Sequence, residues 1–296
     1  MKGSGIHIIP GCELMVRVGV HVSIAGGIAR SVSRARDAGC DTFQIFSRNP
    51  RGWKAKDLDD QDVEGFRDSL KASGIFPAVD HMPYLPNLAG SDPELYQKSV
   101  DTLQAELNRC AVLGIPFLVT HLGHHQGDGI EEGRARVINA ITTALAGADK
   151  GAMLLLENTA GEKNGVGNTF EDIAYVLNGV ADRDRVGVCF DTCHAFGGGY
   201  ELRTVAGIQE TLDHFDRVIG LSRVRVVHCN DSKGDIGSGL DRHEHIGLGF
   251  IGEEGFRHIL HHPFFRNLPL ICETPEDERR NDAGNLAKVR ELAGEG

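Results

Sequence analysis

The chain has 296 residues, 41% of them hydrophobic and 25% charged, which is an ordinary globular composition with enough apolar residues for a large core. Its 31 Lys and Arg residues and 42 Asp and Glu residues give a net charge of -11, which excludes a surface coated in basic residues but not a locally positive binding face. No apolar run reaches the roughly 18 residues of a membrane span and the N-terminus lacks a signal-peptide pattern, so we expect a cytoplasmic protein with no membrane partner.

The first 14 residues, MKGSGIHIIPGCEL, show no clear hydrophobic period and precede an internal methionine, Met15. We therefore predict that residues 1–14 are a leader or extension outside the fold. Residues 15–296 are predicted to form a single catalytic domain.

Short apolar runs rich in β-branched residues recur eight times from Met15 onward, and helix-like segments lie between them. The runs are RVGVHVS (17–23), TFQIFS (42–47), FPAVDH (76–81), FLVTHLG (117–123), MLLLENT (153–159), VGVCFDT (186–192), VRVVHCND (224–231) and LPLICET (268–274). Continuous apolar strands that alternate with helices are typical of a parallel sheet covered by helices. Eight such units in a chain near the usual size of about 250 residues predict a (β/α)₈ TIM barrel. The alternative is a doubly wound open sheet, although no G-x-G-x-x-G motif follows the first strand.

Six of the eight predicted strands end in a residue that can bind a metal ion. These residues are His81, His121, Glu157, Asp191, His228 and Glu273. Taken alone, a His or Asp at a strand end is more often a hydrogen-bonded cap than a ligand. In a (β/α)₈ barrel, however, the carboxyl ends of all strands converge on one face. Six such groups in one small volume would repel or desolvate one another unless cations held them, so we predict a metal centre.

Three further candidates lie outside the strands. Asp241 and His243 flank Arg242 in a glycine-rich loop, SKGDIGSGLDRHEHIGLGFIG (232–252), and their spacing places both side chains on one side of an extended segment. His194 follows Asp191 by three residues. Imidazoles and carboxylates without thiolates suit zinc, manganese or iron(II), and nine candidate ligands suit three ions better than one or two.

The cysteines give a weaker, competing interpretation of the segment VCFDTCHAF (188–196). The seven cysteines of the chain include no C-x-x-C pair, which argues against a disulfide framework and against a four-cysteine zinc site. We expect Cys189 to be a buried thiol below Asp191. A catalytic Cys193 is the lesser alternative, because neighbouring carboxylates raise the pKa of a thiol and suppress the thiolate.

Eight motifs together resemble the endonuclease IV family of apurinic/apyrimidinic endonucleases, three-zinc enzymes of base-excision repair. In chain order the motifs are HVSIAGG, SRNPRGW, HMPYL, ENTAG, FDTCHAF, VHCND, DRHEHIGLGFIG and CETP. The resemblance runs from Val16 to the last strand. It implies a TIM barrel that hydrolyses the phosphodiester 5′ of an abasic site, leaving a 3′-hydroxyl and a 5′-deoxyribose phosphate, with some 3′-end trimming.

The resemblance also assigns the nine candidates to three Zn²⁺ ions, for which Mn²⁺ or Fe²⁺ can substitute. The first ion would be held by His81, His121 and Glu157, the second by Glu157, Asp191, His228 and Glu273, and the third by His194, Asp241 and His243. Glu157 would act in catalysis as the bridging ligand, and Glu273 would orient the attacking hydroxide.

Arg51, Tyr84 and Leu85 match positions at which members of the family insert side chains into the duplex at the lesion. By themselves, an exposed arginine is usually solvated and a Tyr-Leu pair usually packs. The resemblance implies that the partner is double-stranded DNA containing abasic sites. We expect a monomer that uses no nucleotide cofactor.

Two other functions remain open from the sequence. A sugar isomerase or epimerase of the xylose-isomerase-like kind uses the same barrel with Glu, Asp and His around one or two metal ions, but it would not need His194 or the DRHEH motif. A non-catalytic module that binds damaged DNA would not need nine ligands. Abasic duplex and ketoses, offered as substrates, distinguish these functions.

Overall fold

A parallel barrel of eight strands forms the centre of the computed structural model, which describes residues 15–295; the predicted leader, residues 1–14, lies outside the described residues. A separate two-stranded hairpin consists of β8 (Asp231–Ser232) and β9 (His243–Glu244), and the barrel strands are β1 (Arg17–Val20), β2 (Phe43–Ile45), β3 (Ala78–His81), β4 (Phe117–Thr120), β5 (Met153–Glu157), β6 (Val186–Asp191), β7 (Val224–His228) and β10 (Pro269–Cys272). Each lies within one of the eight predicted runs, so the strand prediction is confirmed. The predicted runs are longer because they also include neighbouring loop residues, mostly at the carboxyl ends of the strands.

The order of the strands closes the sheet on itself. Neighbours follow the order β1-β10-β7-β6-β5-β4-β3-β2, and every pairing is parallel. Directly after β1, His21 pairs with Gln44 of β2, and the Val22 amide donates to the Gln44 carbonyl at 2.8 Å. This contact joins the two ends of the sheet, so the predicted TIM barrel is confirmed and the open doubly wound sheet is wrong.

Helices surround the barrel, and several of them begin at a side chain that caps the first turn. They are α1 (Ala29–Asp37), α2 (Asp60–Ser73), α3 (Pro93–Leu113), α4 (Ile130–Gly147), α5 (Phe170–Gly179), α6 (Thr192–Gly197), α7 (Val205–Val218), α8 (Gly252–His261), α9 (Pro263–Arg266) and α10 (Asp282–Leu292). Asp92 caps α3 by accepting hydrogen bonds from Glu94 and Leu95 amides, and Gly114 ends that helix in the left-handed conformation. Among the described residues, no helix is both long and apolar enough to cross a membrane.

The inside of the barrel contains an apolar layer directly below the candidate metal ligands. This layer is a separate buried cluster of Val79, Val119, Leu155, Cys189, Val226 and Ile271. Each of the six precedes a predicted strand-end ligand by two residues. Because side chains two apart on a strand share a face, the six ligand candidates also point into the barrel. Cys189 is therefore a buried packing residue, as expected.

Closure of the barrel requires a residue without a side chain at Gly19 in β1. A Cβ atom at this position would lie 1.6 Å from the carbonyl oxygen of Thr42, the residue before β2. We expect Gly19→Ala to lower the free energy of unfolding by about 3 kcal/mol, the upper end of the usual cost of overpacking, because β1 and β2 must separate. Urea denaturation measures this loss.

Gly65 on α2 provides the matched control for Gly19→Ala. A Cβ atom there meets only the Ala29 side chain, at an ordinary contact distance of 3.7 Å. Gly65→Ala should raise the free energy of unfolding by about 0.5–1 kcal/mol through its higher helix propensity. Equal stabilities of the two variants would contradict the close approach at Gly19.

Candidate metal centre

The six strand-end candidates meet at one end of the barrel. His81, Glu157, Asp191 and His228 are the last residues of β3, β5, β6 and β7, while His121 and Glu273 directly follow β4 and β10. Their ligand atoms form two groups, each with all atoms within 4.8 Å of one another: His81, His121 and Glu157, and Glu157, Asp191, His228 and Glu273. Glu157 belongs to both groups. The structure therefore brings these six side chains together in two groups that share one carboxylate.

A third group contains His194, Asp241 and His243, again within 4.8 Å. Asp191 ends β6 and caps the short helix α6 by accepting a 2.7 Å hydrogen bond from the His194 amide, which turns His194 back toward the barrel. The other two residues arrive on a hairpin in which β8 (Asp231–Ser232) pairs antiparallel with β9 (His243–Glu244). This hairpin folds the glycine-rich loop over the barrel end.

Asp231 holds the glycine-rich loop in place. Its buried carboxylate accepts backbone hydrogen bonds from Gly247 at 3.0 Å, Gly249 at 2.9 Å and Ile251 at 3.0 Å. A Cβ atom on Gly249 would lie 2.5 Å from an Asp231 oxygen, so this position requires glycine. Asp231 is the last residue of the VHCND motif, and nothing in the sequence pattern indicates this role.

Three of the histidines present the same ring nitrogen to the centre. Nδ1 of His81, His194 and His243 lies 2.7, 2.9 and 3.0 Å from the backbone oxygens of Met82, Asn158 and Glu273. A carbonyl oxygen can only accept, so each Nδ1 carries a proton and donates it. In a neutral ring, Nε2 is then left as a lone-pair donor, which is the usual arrangement of a histidine that binds a metal ion.

His228 has the opposite orientation. Its Nε2 lies 2.8 Å from the side-chain oxygen of Gln44 and donates to it, whereas Nδ1 faces Glu157 Oε1 at 2.9 Å. The Gln44 amide nitrogen in turn donates to Glu273 Oε1 at 2.6 Å. Gln44 therefore fixes two ligand candidates. Gln44 is not among the predicted site residues, although a polar side chain inside the second predicted strand, TFQIFS, is a signal that could have identified it.

Two asparagines also support the centre and were missed. The Asn158 side chain accepts from the Asp191 amide at 2.8 Å and donates to the Asp191 carbonyl at 3.0 Å. The Asn230 side chain donates to Asp191 Oδ2 at 2.7 Å and accepts from the Glu273 amide at 2.7 Å. Asn158 therefore fixes the backbone of Asp191, and Asn230 fixes the Asp191 carboxylate and the backbone of Glu273.

The polar atoms of the third group fit a bound cation. Within residues 15–295, Nε2 of His194 and Nε2 of His243 are buried without an aligned hydrogen bond, although an Asp241 oxygen lies 3.1 and 3.6 Å away, respectively. A buried nitrogen without a partner is costly. A metal ion that shares these atoms with Asp241 would satisfy them, so the residues present match such a group.

Neighbouring opposite charges offset the cost of burying charged side chains at the centre. Burial disfavours a charged ring at His194, yet the Asp191 and Asp241 carboxylates raise its pKa well above the usual value. Burial likewise disfavours a charged carboxylate at Asp241, but His194 lowers the Asp241 pKa to about 2. At Glu157, burial is outweighed by His228 and His121, and its pKa falls well below the usual range. Protons on the imidazoles and divalent cations therefore compete for this centre.

Cys193 is near the centre but is a poor ligand. Its thiol lies in a group with Asp191 and His243 whose atoms are within 4.8 Å of one another. Burial and the Asp191 carboxylate raise the Cys193 pKa to about 12, and burial raises that of Cys189 to about 12 as well. Since the thiolate is the form that binds metal or attacks a substrate, neither thiol is suited to chemistry here.

The three predicted DNA-contacting residues line the rim of the centre. Tyr84 and Leu85 are 65% and 41% exposed and line, with His81 and His121, a pocket of about 330 Å³. Arg51 is exposed on the neighbouring loop. The amide of Tyr84 donates to the carbonyl of Pro50 at 3.1 Å, which joins the two loops. The structure thus brings Arg51 next to the other two, over the opening of the barrel.

Comparisons with known proteins agree in fold and in length. A family model described as a xylose isomerase-like TIM barrel matches residues 32–293. A protein of Methanoculleus marisnigri named probable endonuclease 4 is 65% identical over 281 residues, covering 95% of this chain and 100% of that protein. A second probable endonuclease 4, from Methanosphaerula palustris, is 57% identical and covers 94% of this chain and 99% of that protein.

Solved structures that resemble this chain also share its fold over nearly the whole length of both chains. The crystal structure of endonuclease IV from Thermus thermophilus has a TM-score of 0.83 and 40% identity, covering 95% of this chain and 100% of that chain. A D-tagatose 3-epimerase-like protein has a TM-score of 0.69 but only 18% identity, covering 94% of this chain and 98% of that chain. The second likeness shows a shared barrel and does not extend to activity.

Proposed function

Because this chain belongs to the endonuclease IV family of xylose isomerase-like TIM barrels, we propose that it is a metal-dependent DNA repair endonuclease that cleaves at abasic sites. The bond hydrolysed is the phosphodiester 5′ of the lesion, and the products are a 3′-hydroxyl and a 5′-deoxyribose phosphate. The enzyme acts as a cytoplasmic monomer on double-stranded DNA, trims some 3′ ends and uses no nucleotide cofactor.

The observation that carries this proposal is the set of nine imidazoles and carboxylates in three adjoining groups at the open end of the barrel. The three groups would hold three Zn²⁺ ions, or Mn²⁺ or Fe²⁺ in their place, because the donors are nitrogen and oxygen without thiolate. Such ions supply positive charge for the phosphate oxygens and acidify water at neutral pH. An ordinary structural zinc site needs four ligands, so nine indicate chemistry on a highly charged substrate.

Two observations support the assignment of Glu157 and Glu273 as catalytic carboxylates. Glu157 Oε2 lies 3.3 Å from Nε2 of both His81 and His121, while Oε1 lies 2.9 Å from His228 Nδ1. One carboxylate thus serves two groups and fixes their separation. Glu273 is 20% exposed, is held by Gln44 and lines a pocket of about 250 Å³, where it can orient a nucleophile toward the phosphate.

A basic rim supports DNA as the substrate despite the net charge of -11. Residues 47–56, SRNPRGWKAK, include four basic and no acidic residues. Arg51, Lys54 and Lys56 are exposed there and can contact phosphates. Selection of the lesion follows from deformability, because a nucleotide without a base has no stacking to lose when it is turned toward the pocket. Tyr84, Leu85 and Arg51 would fill the gap left in the duplex.

A nicking assay tests the proposal. The substrate is a duplex with a single abasic site, labelled at the 5′ end, and the intact duplex of the same sequence is the control. We expect cleavage 5′ of the lesion in zinc-replete buffer and none after treatment with a strong chelator. Binding of the abasic duplex without cleavage would favour a non-catalytic module, and turnover of ketoses instead of DNA would favour an isomerase or epimerase.

The variant Tyr84→Ala tests whether the Tyr84 side chain helps the protein to distinguish abasic DNA from intact DNA. We expect it to weaken binding of abasic duplex about tenfold and binding of intact duplex much less, because aromatic stacking on DNA contributes about 1–3 kcal/mol. Fluorescence anisotropy with both duplexes measures the ratio. Tyr175→Ala is the control, since Tyr175 is 49% exposed but lies on α5. Equal losses for both duplexes in Tyr84→Ala would remove its lesion-reading role.

A further inference from the structure

The segment that carries Arg51 has no regular secondary structure of its own. Between the end of β2 at Ile45 and the start of α2 at Asp60, the chain forms neither helix nor strand. Its four basic side chains in residues 47–56 repel one another. A loop of this length and charge needs contacts from elsewhere to keep Arg51 in one position.

Two arginines supply those contacts. Arg109 on α3 donates to both ends of the loop: to Ser47 Oγ at 2.8 Å, to the Ser47 carbonyl, and to the Lys56 carbonyl at 3.1 Å. Arg48 turns inward and donates to the middle of the loop, to the Gly52 carbonyl at 3.1 Å and to the Trp53 carbonyl. Together they bind both ends and the centre of the segment that displays Arg51.

A buried carboxylate holds the two arginines. Glu106 on α3 is fully buried, lies 3.4 Å from Arg48 Nη1 and 3.9 Å from Arg109 Nε, and accepts a 2.6 Å hydrogen bond from Ser47 Oγ. Asp80 adds a second buried carboxylate, which accepts from the Ser47 amide at 2.9 Å. Removing one partner of such a buried group leaves an uncompensated charge, which is strongly unfavourable.

The same loop is joined to the other predicted lesion contact. Besides the hydrogen bond from the Tyr84 amide to the Pro50 carbonyl, the Tyr84 ring packs edge-on against Phe46, with centroids 5.0 Å apart. Phe46 directly follows β2. Displacement of residues 46–53 therefore moves Arg51 and Tyr84 together.

We propose that Glu106, Arg48 and Arg109 are positioning residues for lesion recognition. They hold the loop of residues 47–56 in one conformation, so that Arg51 and Tyr84 enter the duplex at the abasic site. The inference rests on the proposed function for its DNA substrate. The restraint on the loop itself does not depend on DNA or on metal.

Trp53 makes the loop directly observable, because it is the single tryptophan of the chain. Acrylamide quenching of its fluorescence, without DNA, reports the mobility of the loop. The variants are Arg48→Lys, which keeps the charge but loses the planar fork of donors, and Glu106→Gln, which keeps the shape but loses the charge. Binding of abasic and intact duplexes, and kcat and KM for nicking, are then measured on the same proteins.

We expect both variants to raise the quenching constant of Trp53 about twofold and to weaken binding of abasic duplex about tenfold, with binding of intact duplex changed less than about twofold. KM for the abasic duplex should rise with kcat nearly unchanged, because the groups at the metal centre stay in place. Arg48→Lys, the milder change, remains informative should Glu106→Gln fail to fold.

Arg134→Lys is the matched control. Arg134 on α4 pairs with the buried carboxylate of Asp172 on α5, so its replacement weakens a comparable ion pair that does not contact the loop. Arg134→Lys should change neither the quenching constant of Trp53 nor the ratio of the affinities for abasic and intact duplex. Unchanged quenching and an unchanged ratio in both loop variants would overturn the inference. A wild-type protein that does not cleave abasic duplex would overturn the proposed function, while quenching would still decide whether the loop is held.

Discussion

Glu157→Gln is expected to reduce cleavage of abasic duplex by more than about a hundredfold, while binding of the same duplex stays measurable. Replacing a residue that only hydrogen-bonds to a metal ligand commonly lowers metal affinity or activity about 10- to 100-fold. Glu157 should have a larger effect, because it belongs to two of the ligand groups itself. The substitution keeps the shape of the side chain but removes its charge from between His81, His121 and His228. Single-turnover nicking measures the rate, and anisotropy measures the binding.

A surface carboxylate provides the control for this experiment. Glu131 on α4 is 68% exposed and pairs with Arg134, so Glu131→Gln removes the same charge far from the centre. It should cleave at the wild-type rate. Wild-type cleavage by Glu157→Gln would refute the view that one carboxylate joins two metal sites.

Removal of metal is expected to have the second large effect. Dialysis against a strong chelator should abolish nicking and lower the Tm by about 10 °C for each ion lost, because a free ion concentration about 1,000 times its Kd stabilises the fold by about 4 kcal/mol per site. Returning Zn²⁺ should restore both. Elemental analysis of the protein as purified should give three divalent ions per chain.

The variant His194→Ala tests which residues hold the third metal ion. His194 contributes its Nε2 to the third group alone, so this variant should retain two ions and lose one. Cys193→Ala, its neighbour, should retain all three, because its buried thiol has a pKa raised to about 12. One tightly bound ion in the wild-type protein would refute the three-metal centre, and three ions in His194→Ala would refute the assignment of the third group.

The barrel and the inward direction of the six strand-end residues could be predicted because both depend on local periodicity. Apolar runs such as MLLLENT predict a strand, and the alternation of side chains makes Glu157 share a face with Leu155. Parallel strands then bring equivalent ends together without further information. The candidate ligands after β4 and β10 follow the same rule, one residue beyond the strand.

The supporting contacts could not be predicted, because they join residues that are distant in the chain. Gln44 contacts His228 across 184 positions, and Arg48 contacts Glu106 across 58. No spacing in the sequence links these residues. Gln44 lies in an ordinary strand pattern, and Arg48 in SRNPRGW is one of several basic residues in a loop. The inward orientation of both side chains can be recognised only once the helices are packed on the barrel.

The eight strands, the face of the barrel that carries the candidate ligands and the family resemblance can all be recognised in the amino-acid sequence. Folding is needed to show which nitrogen of each histidine faces the centre, how Asp231 holds the hairpin that carries Asp241 and His243, and how buried charges hold the loop of Arg51. Strand periodicity depends on neighbouring residues, whereas hydrogen-bond direction and charge compensation depend on atoms that come together only in the folded chain.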